Sequence, residues 1–237
     1  MNSHATNTPQ KLKNLALNIA FVLATALFAL HTIHAQQLQK GVSVVMAPTT
    51  NAVPMPEADN QDAWIVAILR DGALYFETDR VSASDLADKM KSLPRRRDQE
   101  LYIKADARAP FADVRRVLAA AHEVGFNAPV FLTSQTESTT LGVMSPPKGL
   151  EVEVGPPSDA ATVVVQVNSG QPPVFQVNDR EIPAADLQGT LRRLLQNRSD
   201  TPVLVKTQGP VLFAPVVQAI DTCRSIGARV MITTPEL

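Results

Sequence analysis

Few side chains in this sequence have the type and setting to do chemistry. Asn18 is the most informative, because it sits near the start of an apolar run, Leu15–Ile33, LALNIAFVLATALFALHTI. An amide among hydrocarbon groups is costly unless it faces a partner helix or water. His31 and His34 follow at helical spacing. Two imidazoles without a carboxylate make a poor metal site, so they read as polar residues at the end of the run. Asp106 comes two residues after Lys104 and reads as a local cap or pair. Arg95-Arg96-Arg97 with Asp98 reads as a solvated loop, with an anionic polymer or headgroup as the sharper alternative. His122 lies beside an apolar stripe and is expected in solvent. Cys223 lies on such a stripe, as a small buried hydrophobe. The chain has no Gly-rich phosphate loop, His-x-x-x-His, paired cysteines or G-x-S-x-G. No catalytic residue, cofactor or metal is therefore expected, and the chain does not read as an enzyme.

Bulk composition narrows the class further. The formal net charge of −1 leaves no electrostatic footprint for nucleic acid. Aromatic residues make up 5%, too few for a base- or sugar-stacking surface. A single cysteine excludes an internal disulfide framework. The prolines concentrate at 48–56 and 146–157, which read as extended connectors.

The elements that must position these residues form a pattern that occurs twice. LYIKADARAPFADVRRVLAAAHEVGFNAPVFLT (101–133) is echoed by VLVKTQGPVLFAPVVQAIDTCRSIGARVMIT (203–233). Each has a strand carrying a lysine (Lys104, Lys206) and a proline break (Pro110, Pro210). Each continues with Phe-Ala-x-Val opening a helix (Phe111, Phe213), a stopping glycine (Gly125, Gly227) and a last strand closed by threonine. Such internal similarity predicts a duplicated unit.

Upstream of each lies a hairpin. In the first, Trp64–Phe76 turns at Asp71-Gly72; in the second, Thr162–Val177 turns over a longer loop. A short helix follows each hairpin. Its apolar spacing is Leu86, Met90, Leu93 in one case and Leu187, Leu191, Leu194 in the other. Ser82 and Asp85 are placed for a reciprocal cap. Extended leads, Gly41–Pro48 and Gly149–Pro156, precede the hairpins. The predicted fold class is α+β: two similar two-layer α/β sandwiches, each ββαβαβ with a leading strand, over 41–135 and 149–237, joined by a linker at 136–148.

The apolar run at 15–35 has two readings. With Lys11 and Lys13 before it and no lysine until Lys40, it is a transmembrane helix with residues 1–14 in the cytoplasm and the rest outside. As a signal peptide it would be cut after Ala35, but Ile33 is a poor residue three positions before a cut. The anchor is preferred.

Taken together, the apolar run, GVSVVMAP, the hairpin, the LYIKAD strand and the FADVRRVLAAAHEVGF helix leading to VFLT resemble the ExbD/TolR family of biopolymer transport proteins. The resemblance is closer over 41–135 than over 149–235. It implies one transmembrane helix in the inner membrane and periplasmic modules. It further implies a pentameric ExbB/TolQ-like channel partner and transmission of proton-motive force to a TonB/TolA-like protein, with peptidoglycan as a further possible contact. The family's proton-carrying Asp falls on Asn18, in Leu17-Asn18-Ile19-Ala20-Phe21, so the resemblance implies a degenerate proton site and an accessory role. Family members dimerise through one module. Here two modules in one chain are expected to imitate that dimer, with a homodimer as the other possibility. The alternative function is a cleaved, secreted periplasmic module binding cell wall or partner peptides.

Overall fold

The computed structural model describes residues 41–135, 146–155, 163–196 and 202–234. The apolar run with Asn18, His31 and His34, and linker residues 136–145, lie outside the described residues. The elements of the first stretch are β1 (Pro48–Thr49), β2 (Val53–Pro54), β3 (Trp64–Ile68), β4 (Leu74–Phe76), β5 (Asp79–Val81), α1 (Leu86–Lys91), β6 (Leu101–Ala105), α2 (Phe111–Glu123) and β7 (Val130–Gln135). Then come β8 (Lys148–Glu151), β9 (Glu153–Gly155), β10 (Val163–Asn168), β11 (Val174–Val177), β12 (Arg180–Ile182), α3 (Leu187–Leu195), β13 (Val203–Gln208), α4 (Phe213–Arg224) and β14 (Val230–Thr233).

Two mixed sheets result. The first has the order β2-β8-β7-β6-β3-β4-β5, with β1 also parallel to β7; the second has the order β12-β11-β10-β13-β14-β9. Each centres on three parallel strands, β3-β6-β7 or β10-β13-β14, flanked by an antiparallel meander. The meanders hold a strand the sequence reading missed, β5 and β12. The turn before β12, Asn178-Asp179, has both residues at positive φ. This is the two-residue hairpin signature, and it was legible in Asn-Asp. The turn before β5 uses Glu77 at φ 57°, a residue with no such signature.

The two stretches do not stand apart. Residues 39–237 form one compact unit with a continuous apolar core drawn from both. The expected second lead, 149–156, is divided between the sheets. Lys148–Glu151 pairs antiparallel with β7 of the first sheet. After the buried Val152, Glu153–Gly155 runs parallel to β14 of the second. Of the expected first lead, only Pro48 enters a strand.

Burial follows the sequence pattern. In β3 and β6 every residue is buried, because helices cover one face and residues 55–63 the other. An unbroken apolar run suits a strand covered on both faces. By contrast β10, VVVQVN, alternates buried and half-buried positions. On α2 and α4 the predicted stripes are buried, with Val124 and Ile226 partly covered at the ends. Leu194 departs from expectation at 40% exposure, and Leu195 packs on the core instead.

Phe213 of α4 meets Phe131 of β7 edge to face, with centroids 5.1 Å apart, so an aromatic pair crosses between the stretches. Phe213→Ala should cost about 3–5 kcal/mol. The single tryptophan, Trp64, lies in the first sheet and reports on its unfolding. The denaturant midpoint of Trp64 fluorescence is expected to fall in Phe213→Ala; an unmoved midpoint would show that the first sheet does not share that core.

Candidate functional site

The polar chemistry of the described residues gathers where the leading segment, residues 45–51, meets both stretches. Val45 N–H donates to Asp106 Oδ2 (3.4 Å), and Val45 O accepts from Ala107 N–H (2.7 Å), at the end of β6. Ala47 O accepts from Ser134 N–H (3.0 Å), and Met46 O from Ser134 Oγ (3.2 Å), on β7. The buried hydroxyls of Thr49 and Thr133 share a hydrogen bond of 2.7 Å. The next two residues turn to α4, where the Asp221 carboxylate accepts from Thr50 N (3.1 Å), Thr50 Oγ1 (3.1 Å), Asn51 N (2.8 Å) and Asn51 Nδ2 (3.1 Å). The segment following the apolar run is thus fastened to the first stretch through Asp106 and to the second through Asp221.

Asp106, expected as a local cap or pair, does more. It is buried, receives Arg108 Nε and Nη2 at 2.9 Å each, and also takes the Arg108 and Val45 backbone N–H groups. The Arg108 side chain, against a smaller opposing effect of burial, holds the Asp106 carboxyl down at about 2. Asp221 was missed. It is the residue 102 positions after Ala119, and no sequence signal tied it to Thr50-Asn51.

The other candidates are placed as follows. Arg95 stacks on the Phe126 ring, 3.7 Å from its centroid, and donates to Val124 O (2.7 Å). Arg96 pairs with Asp62 and Asp98. All three arginines are exposed, as the solvated-loop reading expects, and two of them also fasten the loop through these contacts. His122 is not free in solvent; it is half-buried and its Nδ1 has no hydrogen-bond partner. Cys223 is fully buried, and burial pushes its thiol up to about 12, which leaves it unreactive. Lys104 is buried in the sheet, and burial lowers its pKa against the opposing charge of Asp59. Burial raises Asp59, and Lys104 opposes that rise. The Ser82–Asp85 cap forms only in half: Ser82 Oγ accepts from Asp85 N–H (3.1 Å), while the Asp85 carboxylate takes Ser84 Oγ.

Among the described residues no group of three or more His, Cys, Asp or Glu side chains is placed to hold a metal. A cavity of about 710 Å³ is an open groove between edge strand β12 and α3. No helix of the described residues is long and apolar enough to cross a membrane.

The described residues thus form a small α+β unit whose polar anchors hold its own leading segment. The family model for the biopolymer transport protein ExbD/TolR matches residues 16–136, just over half of the chain, taking in most of the apolar run and the first stretch and ending before the second. The chain belongs to the ExbD/TolR family, whose members serve biopolymer transport and work with ExbB/TolQ-type partners. No individual curated protein matches it.

The Asp106 anchor predicts a pH dependence. A carboxyl held near 2 rather than at its ordinary 3.8 stabilises the fold above the unfolded value, and loses that contribution as pH falls from about 4 through about 2. The loss should amount to about 1–2 kcal/mol, discounted because the Arg108 partner is half exposed. Urea unfolding at pH 5 and pH 2.5 is the measurement. Asp106→Asn should be less stable at pH 5 and lose less on acidification than the parent; an equal acid loss in both would remove Asp106 from the account.

Proposed function

We propose that this chain is a single-pass inner-membrane subunit of an ExbB–ExbD/TolQ–TolR-like complex that couples proton-motive force to biopolymer transport. In this reading its N-terminus is cytoplasmic and its α+β unit periplasmic. Its role is accessory, because the family's proton-carrying Asp position is occupied by Asn18 and an amide neither takes up nor releases a proton near neutral pH. The observation that carries the assignment is the family match from residue 16, which includes Asn18 and continues into the fastened leading segment. A TonB/TolA-like protein or peptidoglycan is the proposed periplasmic contact.

We further propose that the two stretches arose by tandem duplication and imitate the family's dimer within one chain. Reciprocal backbone contacts support this. Phe111 N–H donates to Val211 O, and Phe213 N–H donates to Ala109 O, both at 2.9 Å, around a Pro110–Leu212 bridge. Matching positions that exchange the same bond are what a two-fold interface produces.

Two measurements test these readings. Amino-terminal sequencing of the protein recovered from membranes should find Lys11 retained, and an ExbB/TolQ-type protein should co-purify with it. A mature chain starting at Gln36 would instead establish the exported module that binds cell wall or peptides. For the pairing, a Pro110→Cys/Leu212→Cys variant treated with a short bis-maleimide should crosslink within the monomer. Crosslinks found only between chains would overturn the intrachain pair.

A further inference from the structure

Charged side chains are rarely withdrawn from water unless something pairs with them. Among the described residues, six lysines and arginines are less than fully exposed. Lys89 pairs with Asp79 at 3.1 Å, Lys104 feels the charge of Asp59, Arg224 donates to Glu151 O at 2.5 Å, and Lys148 has a partner. The two left over are Arg115, on the second turn of α2, and Lys206, on β13. Both are half-buried, and among the described residues neither has an ion pair or hydrogen bond.

Both line the same cavity, of about 160 Å³, with Phe111, Thr207 and Thr233 among the other walls. Arg115 belongs to the first stretch and the strand walls to the second, so neither stretch makes the cavity alone. It lies at the carboxyl ends of the parallel strands β13 and β14, where α/β sheets commonly take ligands. Among the described residues no carboxylate lines it. The two cations around this small space repel each other when it is empty and are reconciled by an anion.

We infer that this cavity binds an oxyanion group, a carboxylate or a phosphate, at the seam between the two stretches. The volume is too small for a whole drug-sized ligand. It suits a free oxyanion or the anionic end of a larger molecule. A guanidinium offers two parallel N–H donors to either chemistry, the ammonium adds a point charge, and the threonine hydroxyls add donors. An occupant touching both stretches would bind the folded state alone and so stabilise it.

The experiment is thermal unfolding of the full chain in detergent, titrated with sodium phosphate or sodium acetate against sodium chloride at equal ionic strength. One or both oxyanions are expected to raise the Tm saturably over chloride. Arg115→Gln and Lys206→Gln should each weaken the apparent affinity about tenfold (about 1.4 kcal/mol), while Arg97→Gln, in the exposed loop, should not. A response to phosphate alone assigns a phosphate ligand; a response to acetate alone assigns a carboxylate. No rise over chloride, or a rise of equal affinity in all three variants, would overturn the site. If one of the two substitutions impairs folding without anion, the other decides.

Discussion

Each long helix of this protein completes the other's first turn. The first backbone N–H groups of a helix have no partner within it, and a side chain usually supplies one. Neither α2 nor α4 has a side-chain cap. The donors are met across the seam instead: Phe111 N–H by Val211 O, Phe213 N–H by Ala109 O, and Ala214 N–H by Ala107 O, each at 2.9 Å. Separating the stretches would strand these donors at two helix ends at once, beside Phe131 and Phe213. The continuous core, the division of residues 148–155 between two sheets and the fastening of the leading segment all depend on the helix starts staying together.

That constraint explains why so much polar contact surrounds so short a leading segment. Residues 45–51 reach the ends of β6 and β7 and then α4. Val45 bonds both to Asp106 and to Ala107, and the Ala107 carbonyl accepts from Ala214 N–H. One short path of backbone hydrogen bonds therefore runs from the chain following the apolar run to the first turn of α4. A displacement of the leading segment is borne by both stretches, because the atoms it bonds to are bonded across the seam. This is a useful property in a family that serves biopolymer transport.

The elements were legible in the sequence where local pattern decides them. The stripes on α2 and α4 emerged as predicted because 3.6-residue periodicity reports one buried face. Gly125 and Gly227 end the two helices at positive φ, with Phe126 N–H returning to Ala121 O and Ala228 N–H to Cys223 O. What was not legible required knowing where distant chain goes. The continuous run WIVAI suits cover on both faces where the alternating VVVQVN does not, but the strand does not say that residues 55–63 supply that cover. Asp221 is an exposed-looking helix residue until Thr50-Asn51 is brought to it. Arg95 gives no sign in the sequence of the Phe126 ring that lies beneath it. β5 was missed because its turn places Glu77 at positive φ, against the preference of its side chain.

The similarity of the two stretches makes their differences informative. In a symmetric dimer of identical chains a substitution acts at two places, so a residue useful on one side must be tolerated on the other. Covalent linkage lifts that restriction and replaces concentration-dependent association by an intramolecular contact. The two stretches carry different residues at several matching positions. Asp221 stands where the first stretch has Ala119. Arg115 stands where the second has Val217, which is fully buried. Lys104 is buried, whereas Lys206 is half-exposed. Strand β8 lies antiparallel on β7, but its place beside β14 is taken by the parallel β9. The backbone contact at the helix starts is reciprocal while the side chains around it are not. A shared framework of this kind lets one stretch hold the leading segment while the other provides the strand walls of the seam.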